Sequence, residues 1–180
     1  METKITSSLK VLSSFFERPN EEFHIRELSR ILSINHTSIM QQLKKLVKEG
    51  YLVLNKGKIY PSYRLLLSKK MLNLKLYYNL EKLRKSGIIE EIERIYDFPA
   101  VIIFGSYATA TDDINSDVDI CIISNINKEI KWEKFEKEIN RKISIYNLNK
   151  GQLERTKKNN PELINNICNG IVVSGKLEVI

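Results

Sequence analysis

Up to about position 100 the apolar residues recur at helical spacing; beyond it they come in short continuous runs. Ile5, Leu9, Leu12, Phe15 and Phe16 form one helical stripe, ended by Arg18-Pro19-Asn20. A second short helix is expected over about His24–Leu32, with Ile25, Leu28 and Ile31/Leu32 turned inward. Ser33-Ile34-Asn35 then reads as a turn with a good N-cap. The third helix runs from about His36 to Glu49 and stops at Gly50, a residue suited to the left-handed position after a helix. Its buried stripe is Ile39, Leu43, Leu46 and Val47, and Thr37, Gln41, Lys44 and Lys48 form the opposite face. Tyr51–Leu54, a polar tip Asn55–Lys58 and Ile59–Tyr63 predict a β-hairpin.

From Leu65 to Asp97 the pattern is helical again, with Leu72, Leu76, Leu80 and Leu83, then Ile88, Ile89, Ile92, Ile95 and Tyr96. Ser86-Gly87 breaks it into two helices, and Phe98-Pro99 closes it. Its aliphatic and tyrosine stripe, including Tyr77 and Tyr78, is either core or a seam between domains or subunits, and a homodimer is the expected assembly. Strands are expected from Val101, over Asp117–Ile123, Lys142–Leu148 and Ile171–Val173, with helices over about Lys128–Arg141, Lys150–Lys158 and Pro161–Asn169. The order β-α-β-α-β-α-α-β suits a small α/β sheet covered on one face. The expected division is residues 1–66, a helical connector at 67–98, and an α/β (α+β) domain at 99–180.

The candidate chemistry lies between the first two of these strands. Ten residues separate Gly105-Ser106, at the end of one apolar run, from Asp117-Val118-Asp119, at the start of the next. Strand side chains alternate faces, so Asp117 and Asp119 project to the same side. Two adjacent carboxylates repel unless a cation lies between them, and a hard cation with oxygen ligands, Mg²⁺ above all, suits the pair. The Gly105-Ser106 turn offers backbone N–H groups and a hydroxyl suited to phosphate, and Ser116 stands beside the carboxylates. A phosphate cradle with metal carboxylates is the minimum equipment for phosphoryl or nucleotidyl transfer. The other reading of these residues is a polar hairpin with a coincidental aspartate pair.

Gly-Ser, ten residues and Asp-x-Asp together resemble the signature of the nucleotidyltransferase superfamily that includes DNA polymerase beta, in its minimal form. The resemblance implies a nucleoside triphosphate as ligand or substrate, Mg²⁺ or Mn²⁺ at Asp117 and Asp119, and nucleotide contacts at Gly105, Ser106 and Ser116. It implies a catalytic role for Asp117 and Asp119. In active members a third carboxylate sits on the strand after Asp-x-Asp; here that strand offers Ser144 and Tyr146, and no acid lies between Arg141 and Gln152. Glu136 and Glu138, just before it, read as solvated surface. Thr109-Ala110 also stand where an Arg-Gly pair is common. A general base typically contributes about 10²–10⁴ in rate, so the expected site binds nucleotide and metal with catalysis weak or lost.

Charge sharpens the reading of the other half. Residues 1–100 hold 18 Lys/Arg against 11 Asp/Glu, whereas residues 101–180 hold 11 of each. From Leu28 to Leu80 the only acid is Glu49, against ten Lys/Arg. Such one-sidedness suits a polyanion, although a solvated basic face has the same composition. Three helices, a short turn between the second and third, and a basic hairpin resemble the winged helix-turn-helix of prokaryotic transcription regulators. That likeness implies double-stranded DNA as partner, with the third helix in the major groove and the hairpin as wing. By position, His36, Thr37, Ser38, Gln41, Lys44 and Lys45 would face bases or phosphates, with Lys56 and Lys58 at the wing. Over nearly its whole length the chain resembles a group of mainly archaeal two-domain proteins that fuse a helix-turn-helix to a nucleotidyltransferase domain.

No apolar run approaches the ~20 residues of a membrane helix, and the N-terminus lacks a signal-like apolar run, so a cytoplasmic protein is expected. Cys121 and Cys168, far apart in sequence, read as buried small apolar residues. Three functions follow. One is a DNA-binding regulator whose nucleotidyltransferase-like domain binds nucleotide and metal. Another is an active enzyme transferring AMP to a small molecule or a partner protein, resembling the antitoxins that adenylylate a HEPN-type toxin. The third is a structural module binding neither.

Overall fold

The first three apolar stripes fold as helices α1 (Lys4–Glu17), α2 (Ile25–Leu32) and α3 (His36–Lys48). In this computed structural model residues 4–57 and 60–177 are described; Lys58 and Ile59, at the expected hairpin tip, and the Ile5 side chain lie outside the described residues. Glu27 and His24 form a capping box at the start of α2, and Ser33 leaves it in the left-handed conformation. The Asn35 side chain then caps α3 by accepting from the Ser38 N–H. A hairpin follows, β1 (Leu52–Asn55) antiparallel to β2 (Ser62–Leu65). Phe23 adds a bridge to its outer side, its N–H and carbonyl both bonded to Tyr63 at 2.9 Å. Leu12, Phe15, Leu28, Ile39, Leu43 and Leu46 fill the core beneath.

The chain divides into two compact units, Met1–Tyr78 and Asn79–Ile180. The division falls within α4 (Lys69–Ser86): Met71 packs in the core of the first unit and Leu83 in that of the second. Gly87, with φ of +75°, separates α4 from α5 (Ile88–Tyr96).

The second unit is built on a mixed sheet of order β5-β4-β3-β6, from β3 (Ala100–Phe104), β4 (Val118–Ile123), β5 (Ile143–Leu148) and β6 (Ile171–Ser174). The pairs β3–β4 and β3–β6 are antiparallel, while β4–β5 is parallel and needs a crossover, supplied by α7 (Glu133–Ile139). Short α6 (Gly105–Thr109) joins β3 towards β4, and α8 (Lys150–Asn159) and α9 (Pro161–Cys168) lie between β5 and β6. It is a mixed α/β (α+β) architecture, as the element order predicts.

Three expectations need correction. The sheet is covered on both faces, not one. Val101, Ile103, Ile120 and Ile122 pack with α5 and α7 residues, while Ile102, Phe104 and Cys121 pack with Ile167 of α9. The reason is in β3 itself: Val-Ile-Ile-Phe is apolar at every position, so neither face can be left to water. The helix expected over Lys128–Arg141 is only Glu133–Ile139; Ile130 is buried, and the carbonyl of Lys128 accepts from the Tyr96 hydroxyl, which holds that stretch irregular. Asn140, left-handed at φ 51°, ends the helix before Arg141. Finally, Cys121 is buried but Cys168 is exposed.

Candidate functional site

Antiparallel pairing of β3 with β4 sets Phe104 opposite Asp119. The next residue, Gly105, turns the chain into α6 with φ of +69°, a conformation that glycine adopts without a Cβ penalty. A Cβ built at this position would strike the Asp119 carboxylate, so any other residue would both strain the backbone and displace that side chain. Ser106 follows at the start of α6, half-buried.

Asp117 lies just before β4 and is exposed, whereas Asp119, inside the strand, is half-buried. Burial, and secondarily the charge of Asp117, raise the Asp119 pKa above its ordinary value. On the other side, parallel pairing places Asp119 beside Ser144 of β5. The Ser144 hydroxyl donates to Asp117 Oδ2 at 3.3 Å. The strand position expected to carry a third carboxylate therefore touches the aspartate pair, and serine occupies it. Tyr146, one step along the same face, packs edge-on against Phe104 with centroids 5.2 Å apart.

The site fits one hard divalent cation. Its donors are two carboxylates and a hydroxyl, all oxygen, and no basic side chain among the described residues pairs with either aspartate. Among the described residues no group of three His, Cys, Asp or Glu is gathered for a metal, so the pair is short of a second metal's ligands.

Ser116 is committed locally. Its Oγ accepts from the Asp113 N–H at 3.0 Å and lies 3.4 Å from Asp113 Oδ1, closing the turn that delivers Asp117. Ala110 is left-handed at φ 57°, which explains why a glycine would suit this place in the family pattern.

Sequence reasoning missed two supporting features. Asp112, in the polar link, is buried and ion-paired with buried Arg141 at 3.5 Å. Asn79 Nδ2 donates to Asp112 Oδ1 at 2.9 Å and to the Tyr107 carbonyl at 3.0 Å, anchoring the link between α6 and β4 from below. Nothing in the local sequence distinguishes Asp112 from Asp113. Glu136, read as solvated, has a side chain only 19 % exposed; it accepts from the Ile143 N–H at 3.1 Å and lies 3.6 Å from Lys142 Nζ. It shares a cavity of about 550 Å³ with Asp117. Glu138 is exposed, as expected.

In the first unit, His36, Thr37, Gln41, Lys44 and Lys48 are exposed along α3, while Ser38 and Lys45 are half-buried. Lys45 is partly engaged within the unit, 3.4 Å from the Ser8 hydroxyl and 3.8 Å from Glu49. Lys56 is exposed after β1. Among the described residues no helix is long and apolar enough to cross a membrane.

No curated protein matches the chain. Among solved structures it is similar to that of TrmBL2, an archaeal chromatin protein described as showing a novel mode of DNA binding. The two share 15 % identity over 89 % of this chain and 67 % of that one, with a TM-score of 0.32. Residues 85–173 match the family model of the nucleotidyltransferase domain, a stretch that includes β3, α6 and β4.

Proposed function

We propose that the chain is a cytoplasmic DNA-binding regulator, a homodimer, whose nucleotidyltransferase domain binds a nucleoside triphosphate with Mg²⁺ or Mn²⁺. In this reading residues 1–66 are a winged helix-turn-helix, 67–98 a connector, and 99–180 the nucleotide-binding domain. Asp117 and Asp119 hold the metal, and Gly105 and Ser106 orient the phosphates. The Ser116 hydroxyl contributes by fixing the turn before Asp117 and contacting the nucleotide from it.

One observation carries the reading. Ser144 donates to Asp117 at the place where a third carboxylate would draw the proton from an attacking hydroxyl. A serine hydroxyl is too weak a base for that step at neutral pH. Nucleotide and metal binding are therefore retained while transfer is slow. DNA binding rests on the exposed α3 face with Gln41 and Lys44, in a stretch from Leu28 to Leu80 that holds ten basic residues against one acid.

The second reading, AMP transfer to a small molecule or a partner protein, is favoured by Glu136, which lines the same cavity as Asp117. Isothermal titration of ATP with Mg²⁺ or Mn²⁺, followed by a pyrophosphate assay, separates the two. Binding without release of pyrophosphate supports the regulator; rapid release with a simple acceptor establishes the enzyme. No binding of nucleotide in either metal rejects both.

A further inference from the structure

The β1–β2 hairpin is held at its open end by three consecutive residues that precede α2. Glu22, Phe23 and His24 each bond to one residue of the stretch Pro61–Tyr63. The Ser62 hydroxyl, on a residue only 6 % exposed, donates to Glu22 Oε2 at 2.5 Å. Asn55, the cross-strand partner of Ser62, has its Nδ2 3.4 Å from the same oxygen. His24 Nδ1 lies 2.9 Å from the Pro61 carbonyl, which can only accept, so this nitrogen carries the hydrogen. With the Phe23 and Tyr63 backbones paired as well, the chain is held from Tyr63 back to Pro61.

Tyr60 comes immediately before that hold, and it is fixed from its other side too. A Cβ built at Gly57 would lie 2.6 Å from the Tyr60 carbonyl oxygen, so the tip folds back at a spacing that leaves no room for a side chain. The Gly57 N–H in turn donates to the Asn55 carbonyl at 3.0 Å. Between these two holds, Tyr60 is 65 % exposed. A lone exposed aromatic needs no explanation, but one whose backbone is fixed on both sides is presented to solvent in a set place. Tyrosine brings a rigid ring with a polar tip and loses little rotamer entropy on binding, which suits it to a contact.

Building on the reading of this unit as DNA-binding, we propose that Tyr60 is a non-ionic contact to duplex DNA and that Glu22 is the residue that positions it. The stretch Asn55–Arg64 suits that partner, with Lys56, Lys58 and Arg64 and no acid. A ring among such side chains packs on the sugars while the cations take phosphates. Glu22 is the informative residue, because a carboxylate beside a DNA-binding hairpin repels phosphate. By charge alone its removal strengthens binding; by loss of positioning its removal weakens it.

Fluorescence anisotropy of the full chain with a fluorescein-labelled duplex of mixed sequence, at several salt concentrations, reads both parts. Tyr60→Ala should weaken binding about tenfold at every salt concentration. The slope of log K against log salt should not change, because a neutral ring releases no counterions. Tyr60→Phe keeps the ring and should stay within about twofold of the parent. Glu22→Ala should weaken binding about fivefold although it removes a negative charge, whereas Glu22→Gln, whose amide oxygen can still accept from Ser62, should cost less than about twofold. In the Tyr60→Ala background, Glu22→Ala should cause no further loss, a coupling that a general loss of stability does not produce. Ser62→Ala breaks the same bond without changing charge and should match Glu22→Ala; it replaces that variant if circular dichroism shows it unfolded. Full affinity in Tyr60→Ala, or a shallower salt slope, overturns the contact. Equal or tighter binding by folded Glu22→Ala, or further loss in the double variant, overturns the positioning role. A parent chain that binds no duplex at low salt rejects the DNA reading itself, and this proposal with it.

Discussion

Gly105 and Asp119 are placed so that no side chain could stand at position 105 without displacing the carboxylate beside it. The glycine thus serves the proposed metal site as well as the turn. Gly105→Ala imposes a left-handed alanine, at about 1–2 kcal/mol, and pushes Asp119 out of line with Asp117. Thermal melts should show that loss of stability. Titration of Mg²⁺ with ATP should show binding reduced beyond detection, although both aspartates remain. Unchanged nucleotide affinity in the variant would place the site elsewhere.

Asp119 gives the second unit a pH dependence whose sign follows from its raised pKa. The folded protein holds the Asp119 proton more tightly than the unfolded chain does. Its contribution to metal-free stability is therefore complete below the ordinary value of 3.8 and is lost as the pH rises through the elevated folded value. Asp119→Asn cannot ionise, so its stability should not show this fall. Melting temperatures of parent and variant across that window, with metal chelated, provide the check. Adding Mg²⁺ at neutral pH should stabilise the parent and not the Asp117→Asn, Asp119→Asn double variant.

DNA binding by the first unit should be electrostatic in strength and local in preference. Lys44→Glu with Lys45→Glu should weaken duplex binding at every sequence and reduce the slope of log K against log salt by about 2. Lys44 should carry the larger share, because Lys45 already faces Ser8 and Glu49. Gln41→Ala should leave the salt slope unchanged and relax preference between sequences. Filter binding or fluorescence anisotropy at several salt concentrations measures all three. No duplex binding by the intact protein at low salt rejects the assignment.

Beneath the site, the Asp112–Arg141 pair is buried on both sides, each side chain 2 % exposed or less. Removing one partner of such a pair typically costs about 3–5 kcal/mol, because the other charge stays buried. Arg141→Met should therefore destabilise the second unit strongly in urea unfolding. Asp112→Leu combined with Arg141→Met should recover most of the loss. If the single variant is as stable as the parent, the pair does not anchor the link.

The sequence was most informative where geometry is local. Continuous apolar runs on either side of Gly105 and Asp117 foretell two central strands, and strand alternation then puts both aspartates on one side. The stop at Gly50 and the cap at Asn35 are equally local, and both are found. Ser144 and Tyr146 could be named in advance as the residues offered in the third carboxylate's place because they sit on the next strand, and the parallel register brings Ser144 beside Asp119. What was not legible depends on distant partners. Asp112 and Asp113 look alike until Asn79 and Arg141 close around one of them. Glu136 looks solvated until the Ile143 N–H finds it. The α8–α9 cover on the second face is fixed by Ile167 meeting Ile102 and Phe104, a contact spanning more than sixty positions.

Ser144 offers the most direct test of why transfer should be slow. Its hydroxyl already lies 3.3 Å from Asp117 Oδ2, so an aspartate there would bring a third carboxylate to the same side of the sheet. Without metal, three clustered carboxylates repel, and Ser144→Asp should be less stable than the parent at neutral pH. With Mg²⁺ or Mn²⁺ the order should invert, and metal affinity should rise by about tenfold, about 1.4 kcal/mol. The same carboxylate could accept the proton of an attacking hydroxyl, so pyrophosphate release should rise by about 10² or more. Ser144→Asn matches the shape of aspartate without the charge and should give neither gain. If Ser144→Asp binds metal more tightly yet transfers no faster, the missing base is not what limits transfer, and the acceptor or a partner protein must be.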